Sequence, residues 1–239
     1  MSARPVAEES GFTLIELLVT IFAGIVIVMA TFTILDLSIH QQVSASDRVE
    51  ATQRGRSAME ALMQELNSGC VWASTPTVQA NSDNTTVWFL SQFSSAAVPT
   101  PILHEVTVTG GSVVSGTVVG ASLSDTSYAL TNTNTLPQNW TTSAFNTTPS
   151  GTKILATNVS YPSATGVFQY YQYVNGSINA DSAHLVAAPV TSATNANVAE
   201  VTVAFAVGPS DGSTVSNRIV NLSDAAVFAP PPESTAQCQ

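Results

Sequence analysis

Across residues 12–37 the chain offers roughly 26 positions with only two charges, Glu16 and Asp36, and about 20 helical residues suffice to cross a bilayer core. A run this long and this apolar predicts a membrane helix. A secretory signal would have a shorter apolar core, about 7–15 residues, with a small-residue cut site on its far side. Here the order is reversed, because the small residue, Gly11, precedes the run. A cut after Gly11 would remove only the polar leader, residues 1–11, and leave the hydrophobic helix on the mature chain. Glu16 lies inside the apolar zone near the predicted helix start. A carboxylate at the bilayer centre costs about 2.5–3.5 kcal/mol, less toward the interface, so one placed there points to a function and to a cationic partner. Arg4 precedes the span and the first base beyond it is Arg48, which orients the N-terminus toward the cytoplasm under the positive-inside rule.

The run Gly11-Phe12-Thr13-Leu14-Ile15-Glu16, directly ahead of the apolar stretch, resembles the signature of type IV prepilins and pseudopilins. The resemblance implies that a dedicated prepilin peptidase cleaves between Gly11 and Phe12 and methylates the new amine of Phe12. It also implies that this ammonium on one subunit faces Glu16 of its neighbour in a helical filament. An α-amino group titrating around 7.7–8.0 is largely protonated near neutral pH, so the pairing is electrostatically sound. Two positions depart from the family pattern. The leader sets its only base, Arg4, against Glu8 and Glu9, and Thr33 stands where many major pilins have a helix-bending proline, leaving Gly24 as a soft point. An ordinary uncleaved signal anchor, with Gly11 and Glu16 as incidental neighbours, is the plain alternative.

The helical period continues past the apolar run. Ile39, Val43, Val49, Met59, Leu62, Met63 and Leu66 recur at three- and four-residue steps among polar residues, which predicts an amphipathic continuation over residues 38–69 that lays its stripe on a globular head. Asn67-Ser68-Gly69 supplies the stop, with Gly69 free to take a left-handed conformation. One helix from residue 12 to 67 would be about 80 Å long at 1.5 Å per residue, as in the pilin spine. Arg48, Arg54 and Arg56 read either as a partner-binding strip or, with Asp47, Glu50 and Glu60 between them, as a solvated face.

Beyond Cys70 the composition turns to Thr, Ser, Asn, Val and Ala, with Lys153 and Arg218 as the only bases. Residues 200–207 alternate cleanly, with Val201, Val203, Phe205 and Val207 on one face, as a half-buried strand does. Residues 86–90, 102–109, 113–119, 153–159, 167–174 and 218–222 are further strand candidates. Asn175-Gly176 predicts a hairpin, since both residues accept positive φ. Residues 122–150, rich in Thr, Asn and Ser, read as a surface excursion with at most short strands. The expectation is one β-rich head over residues 70–229 and a proline-rich tail over 230–239. The succession LATNVSYPSATGVFQYYQYVNGS, EVTVAFAV and RIVNLSDAAVF looks like the sheet order of larger minor pilins and pseudopilins. Tyr170, Tyr171 and Tyr173 read as core and sheet-capping residues or as an exposed recognition patch.

Cys70 ends the long helix and Cys238 adjoins the C-terminus, so a bridge clipping the tail to the helix top and a buried free thiol both stay open at this point. The formal charge of −10 disfavours a phosphate-binding surface, which needs clustered Lys or Arg; no direct nucleic-acid contact is expected. Catalytic signatures are missing from the sequence, with no G-x-S-x-G, G-x-x-x-x-G-K, G-x-G-x-x-G or H-E-x-x-H. His40, His104 and His184 are far apart, which argues against zinc and for surface or satisfied sheet positions. Asn81, Asp83 and Asn84 fit a turn better than a calcium loop. No cofactor or metal is expected.

The sequence therefore predicts an α+β chain, a long N-terminal helix spine packed on an antiparallel β-sheet head. By resemblance it is a minor pilin or pseudopilin, a structural subunit rather than an enzyme. Its partners would be other pilin subunits, the prepilin peptidase and an inner-membrane assembly platform. It would be a single-pass membrane protein before assembly and part of an extracellular or periplasmic filament afterwards. A type II secretion pseudopilin and a membrane-anchored adhesin are the alternatives.

Overall fold

The computed structural model describes residues 13–69, 76–91, 101–131, 144–174, 177–210 and 219–228. The leader, Gly11, Phe12, Cys70, Cys238 and residues 230–239 lie outside them. The chain forms two compact units, Met1–Ser46 and Asp47–Gln239. A single α-helix, α1 (Leu14–Asn67), enters both.

In the first unit every described residue up to Val43 is exposed. The helix passes without a break through Gly24 and Thr33. The threonines of this stretch return their hydroxyls to their own helix: Thr20 Oγ1 donates to Leu17 O (2.9 Å), Thr31 to Ile27 O (2.8 Å) and Thr33 to Met29 O (3.0 Å). Such back-bonding removes the cost of a bare hydroxyl in an apolar surrounding. The stretch closes at a polar pair, where the His40 ring nitrogen lies 2.8 Å from Asp36 O.

In the second unit α1 buries Ala51, Gly55, Ala58, Met59, Leu62, Met63 and Leu66, one stripe at three- and four-residue steps. Met59, Leu62, Met63 and Leu66 are where the periodicity put them. Ile39, Val43 and Val49, expected on the same stripe, are exposed; packing starts only at Ala51. The helix stops at Asn67 as expected, but not by a left-handed glycine. Ser68 Oγ donates to Glu65 O (2.7 Å) and Gly69 N to Leu66 O (3.0 Å), which satisfies carbonyls the helix end leaves open. Gly69 is required for closeness instead, since a Cβ there would meet Thr77 Cγ2 and, at 2.9 Å, Leu66 O.

The head is an eight-stranded antiparallel sheet of β1 (Thr86–Ser91), β2 (Ile102–Val114), β3 (Thr117–Tyr128), β4 (Gly151–Pro162), β5 (Phe168–Gln172), β6 (Leu185–Val186), β7 (Val198–Val207) and β8 (Val220–Val227). The order is β1-β2-β3-β4-β7-β5-β6, and β8 pairs β7. On one edge of β7, Val207 and Ala206 pair β4 while residues 198–203 pair β5; β8 runs along residues 200–207. The alternation in β7 holds, with Val201, Val203, Phe205 and Val207 all buried. They join Leu62, Leu66, Val87, Phe89, Val106, Leu123, Val159, Phe168 and Tyr170 in one core.

Two expectations about the sheet are corrected. Residues 113–119 are not one strand but a hairpin tip: Ser115 and Gly116 take φ of 50° and 81°, and Val114 pairs Thr117 across them. Positive φ at both central residues is the two-residue turn whose twist matches its strands. Residues 122–150 are not all excursion either. Residues 122–128 continue β3, paired to β2 on one side and β4 on the other, with Leu123 in the core. A strand hydrogen-bonded on both edges holds its place with few apolar side chains, which is why its Ser- and Thr-rich composition misled. Asn175-Gly176 lies outside the described residues, but its flanks Val174 and Ser177 exchange both backbone hydrogen bonds, at 3.0 and 3.1 Å, as the closing pair of such a hairpin does.

Candidate functional site

The helix start is organised by Thr13 and Glu16. Glu16 N and Leu17 N donate to Thr13 O at 3.1 and 3.2 Å, and Thr13 Oγ1 donates to Glu16 Oε2 at 3.4 Å. The Thr-x-x-Glu spacing is that of a capping pair, and a carboxylate in the first turn also complements the positive end of the helix dipole. Glu16 thus has a local role as well as an intermolecular candidate one. In the sequence Glu16 reads as a lone charge; the Thr-x-x-Glu spacing to Thr13, three residues upstream, is the signal that marks its local partner. Gly11 and Phe12 lie outside the described residues, and so does the amine that would face Glu16.

Behind this turn lies a continuous apolar surface. Leu14 is 83 % exposed, Phe22 69 % and Phe32 68 %, and the large aliphatic residues between and beyond them are exposed too. Among the described residues, this is the one helix long and apolar enough to cross a membrane. Its backbone is hydrogen-bonded within the helix, as a bilayer demands, so the surface is chemically suited to lipid or to other apolar helices.

The remaining candidates separate clearly. Arg54 is engaged within its own chain: Nη2 donates to Thr157 O and Thr157 Oγ1, both at 2.9 Å, and Nη1 to Glu50 at 3.3 Å. Arg48 and Arg56 are exposed. Tyr170 is fully buried and donates to Asp83 O (2.8 Å); burial first, then the Asp83 charge, hold its phenol well above the usual value. Tyr171 is buried too, and only Tyr173 reaches the surface. Asp83 Oδ1 accepts from Thr85 N, Thr85 Oγ1 and Thr86 N at 2.7–2.9 Å, a turn that launches β1 and not a calcium loop. Tyr128 donates to Glu105 Oε2 (2.8 Å), and burial together with that carboxylate pushes its pKa up to about 12.

Of the histidines, His40 is on the exposed helix, while His104 and His184 are buried with Nδ1 on Asp125 (2.9 Å) and Asp181 (2.6 Å). The His184 hydrogen bond lowers the exposed Asp181 pKa. The described residues hold no group of three or more His, Cys, Asp or Glu arranged to bind a metal. A groove of about 540 Å³ runs between β4 and β8, lined among the described residues by the apolar Phe205 and Leu222 and by the polar Tyr161, Ser160 and Asn221. The Cys70–Cys238 bridge falls outside the described residues.

Comparison with family models, curated proteins and solved structures finds no match for this chain.

Proposed function

We propose that the chain is a structural subunit, a minor pilin or pseudopilin, of a type IV pilus-like filament, cleaved after Gly11, N-methylated at Phe12 and assembled through α1. The observation that carries this reading is the pairing of Gly11-Phe12 and Glu16 with a helix whose apolar side chains are exposed from Leu14 to Val43. A helix of that kind needs lipid before assembly and other helices after it. The cut site before the helix, rather than behind it, leaves the apolar surface on the mature chain for both purposes. Glu16, already seated on the first turn by Thr13, would then meet the Phe12 ammonium of a neighbouring subunit and set the register. Its partners would be other pilin subunits, the prepilin peptidase and an inner-membrane platform. Pilus and type II secretion pseudopilus use the same chemistry at these positions.

Coexpression with a prepilin peptidase followed by intact-mass and N-terminal analysis tests the reading. The expected product lacks residues 1–11 and begins with methylated Phe12. A leader that stays intact in the native host would instead favour the membrane-anchored adhesin. Glu16→Val is expected to insert and to be processed normally while its incorporation into filaments drops; unchanged incorporation would remove the charge pairing.

A further inference from the structure

His104 is an ionisable ring set into the sheet. It sits on β2, is 5 % exposed, and stacks on Phe89 of β1 with ring centroids 5.2 Å apart. Its Nδ1 lies 2.9 Å from Asp125 Oδ1 on β3, and its Nε2 lies 3.8 Å from Glu65 Oε2 near the end of α1. Both Nε2 and that Glu65 oxygen are buried without a hydrogen-bond partner. An ionised Asp125 can only accept, so the proton on the imidazole belongs to Nδ1 and the neutral ring presents a lone pair at Nε2. Nε2 and Oε2 are then two acceptors facing each other across a gap with nothing to donate into it.

We propose that Glu65, His104 and Asp125 form a proton-operated clamp: one proton taken into the gap between His104 Nε2 and Glu65 Oε2 turns two opposed acceptors into a hydrogen bond that fastens the last turn of α1 to the sheet. The proton completes the bridge whether it rests formally on nitrogen or oxygen. The charged groups acting on it are Glu65 from α1, Asp125 from β3 and Lys153 from β4, with the uncharged Phe89 contributed by β1. Burial is the largest influence on Glu65 and raises its pKa above the ordinary 4.5; Asp125 adds to the rise while His104 and Lys153 oppose it. A carboxyl raised in the folded state favours folding at acid pH, fully so below the ordinary value. That contribution is lost as pH climbs through the raised value. A metal ion is the wrong occupant: a tetrahedral site needs four ligands, only His104 Nε2 and Glu65 Oε2 face the gap while Asp125 is engaged at Nδ1, and the described residues hold no group of three or more His, Cys, Asp or Glu that could bind one. The clamp depends on the head alone and stands or falls independently of the filament reading.

The test uses the full chain in detergent micelles with ¹⁵N-labelled histidine. As the pH falls from about 8 to about 5.5, toward the ordinary glutamate value from above, the head Tm should rise by on the order of 2–4 °C, and the His104 Nε2 resonance should move to a hydrogen-bonded position in step. Glu65→Gln, whose amide donates to Nε2 at any pH, should keep the higher Tm and lose the increment; Glu65→Ala should lose both. A wild-type pH increment retained in Glu65→Gln would overturn the proposal. So would a zinc-induced rise in Tm that Glu65→Ala abolishes, which would mark a metal site. If Glu65→Gln does not fold, the wild-type spectrum decides: an Nε2 resonance indifferent to pH while Tm rises overturns the clamp, and one that moves with Tm supports it.

Discussion

The two ends of α1 share one backbone geometry and are built for different surroundings. Between Leu14 and Val43 the apolar side chains are mostly large, all round the helix and exposed; between Ala51 and Leu66 they form one stripe, begin with Ala and Gly, and are buried in the head core. A helix apolar on every side needs an apolar medium all round, whereas a striped one needs a single partner face. The turnover lies near Asp47, where the second unit begins, and not at the last residue of the apolar run. Ile39 and Val43 therefore belong with the first region in exposure although their spacing matches the second. Spacing alone identifies a helix face; the bulk of the residues on it identifies what can lie against it.

One substitution made in both regions gives the sharpest test of this contrast. Leu62 is 1 % exposed in the core and Leu35 is 51 % exposed. Leu62→Ala should cost the head about 2–5 kcal/mol from lost transfer energy and the cavity left behind. By thermal unfolding in micelles this is a fall in Tm of at least several degrees, at about 2–4 °C per kcal/mol for a domain of this size. Leu35→Ala should leave that transition where it is, because Leu35 is already half exposed and outside the buried stripe. Equal losses in both variants would break the division of the helix into two regions.

Much of this contrast could be read from the sequence, and the parts that could not have physical causes. The apolar run follows from its length and scarcity of charge, the helix stop at Asn67 from the Asn67-Ser68-Gly69 signal, and the buried face of β7 from alternation carried by large apolar residues. Gly55 was passed over, since a helix-interior glycine ordinarily costs about 1 kcal/mol relative to alanine and gives no apolar signal. The structure shows its reason: a Cβ would meet Leu222 Cδ1, with Val207 Cγ2 at 3.3 Å, so the glycine lets α1 approach β7 and β8. The Ser115-Gly116 turn was hidden because the valine pairs on both sides of it, Val113-Val114 and Val118-Val119, give the whole segment the β-branched composition of a strand. The second half of β3 was hidden because its place is fixed by neighbours on both edges, which no local pattern reports. In the candidate site, Glu16 is legible as a charge in an apolar run, but its hydrogen bond from Thr13 depends on side-chain rotamers that no sequence pattern reports. The Glu65–His104–Asp125 cluster joins residues from α1, β2 and β3, and only the register brings them together.

A smaller effect separates two arginines on the packed half of α1, where the sequence offered a common role. Arg54 and Arg56 are two positions apart, so they point in different directions around the helix. Arg54 donates twice from Nη2 to Thr157 and is partly covered, while Arg56 is exposed. Hydrogen bonds from a charged group contribute about 1.5–3 kcal/mol when well shielded and surface ion pairs about 0–1. A half-covered guanidinium falls between these, so Arg54→Ala should cost about 1 kcal/mol in head stability. Arg54→Lys should recover only part of it, because an ammonium lacks the planar fork that reaches two oxygens at once. Arg56→Ala should leave the head transition unchanged. A stability loss at Arg56 matching that at Arg54 would mean that the exposed side of this half has a structural partner too, and the stripe would have to be widened accordingly.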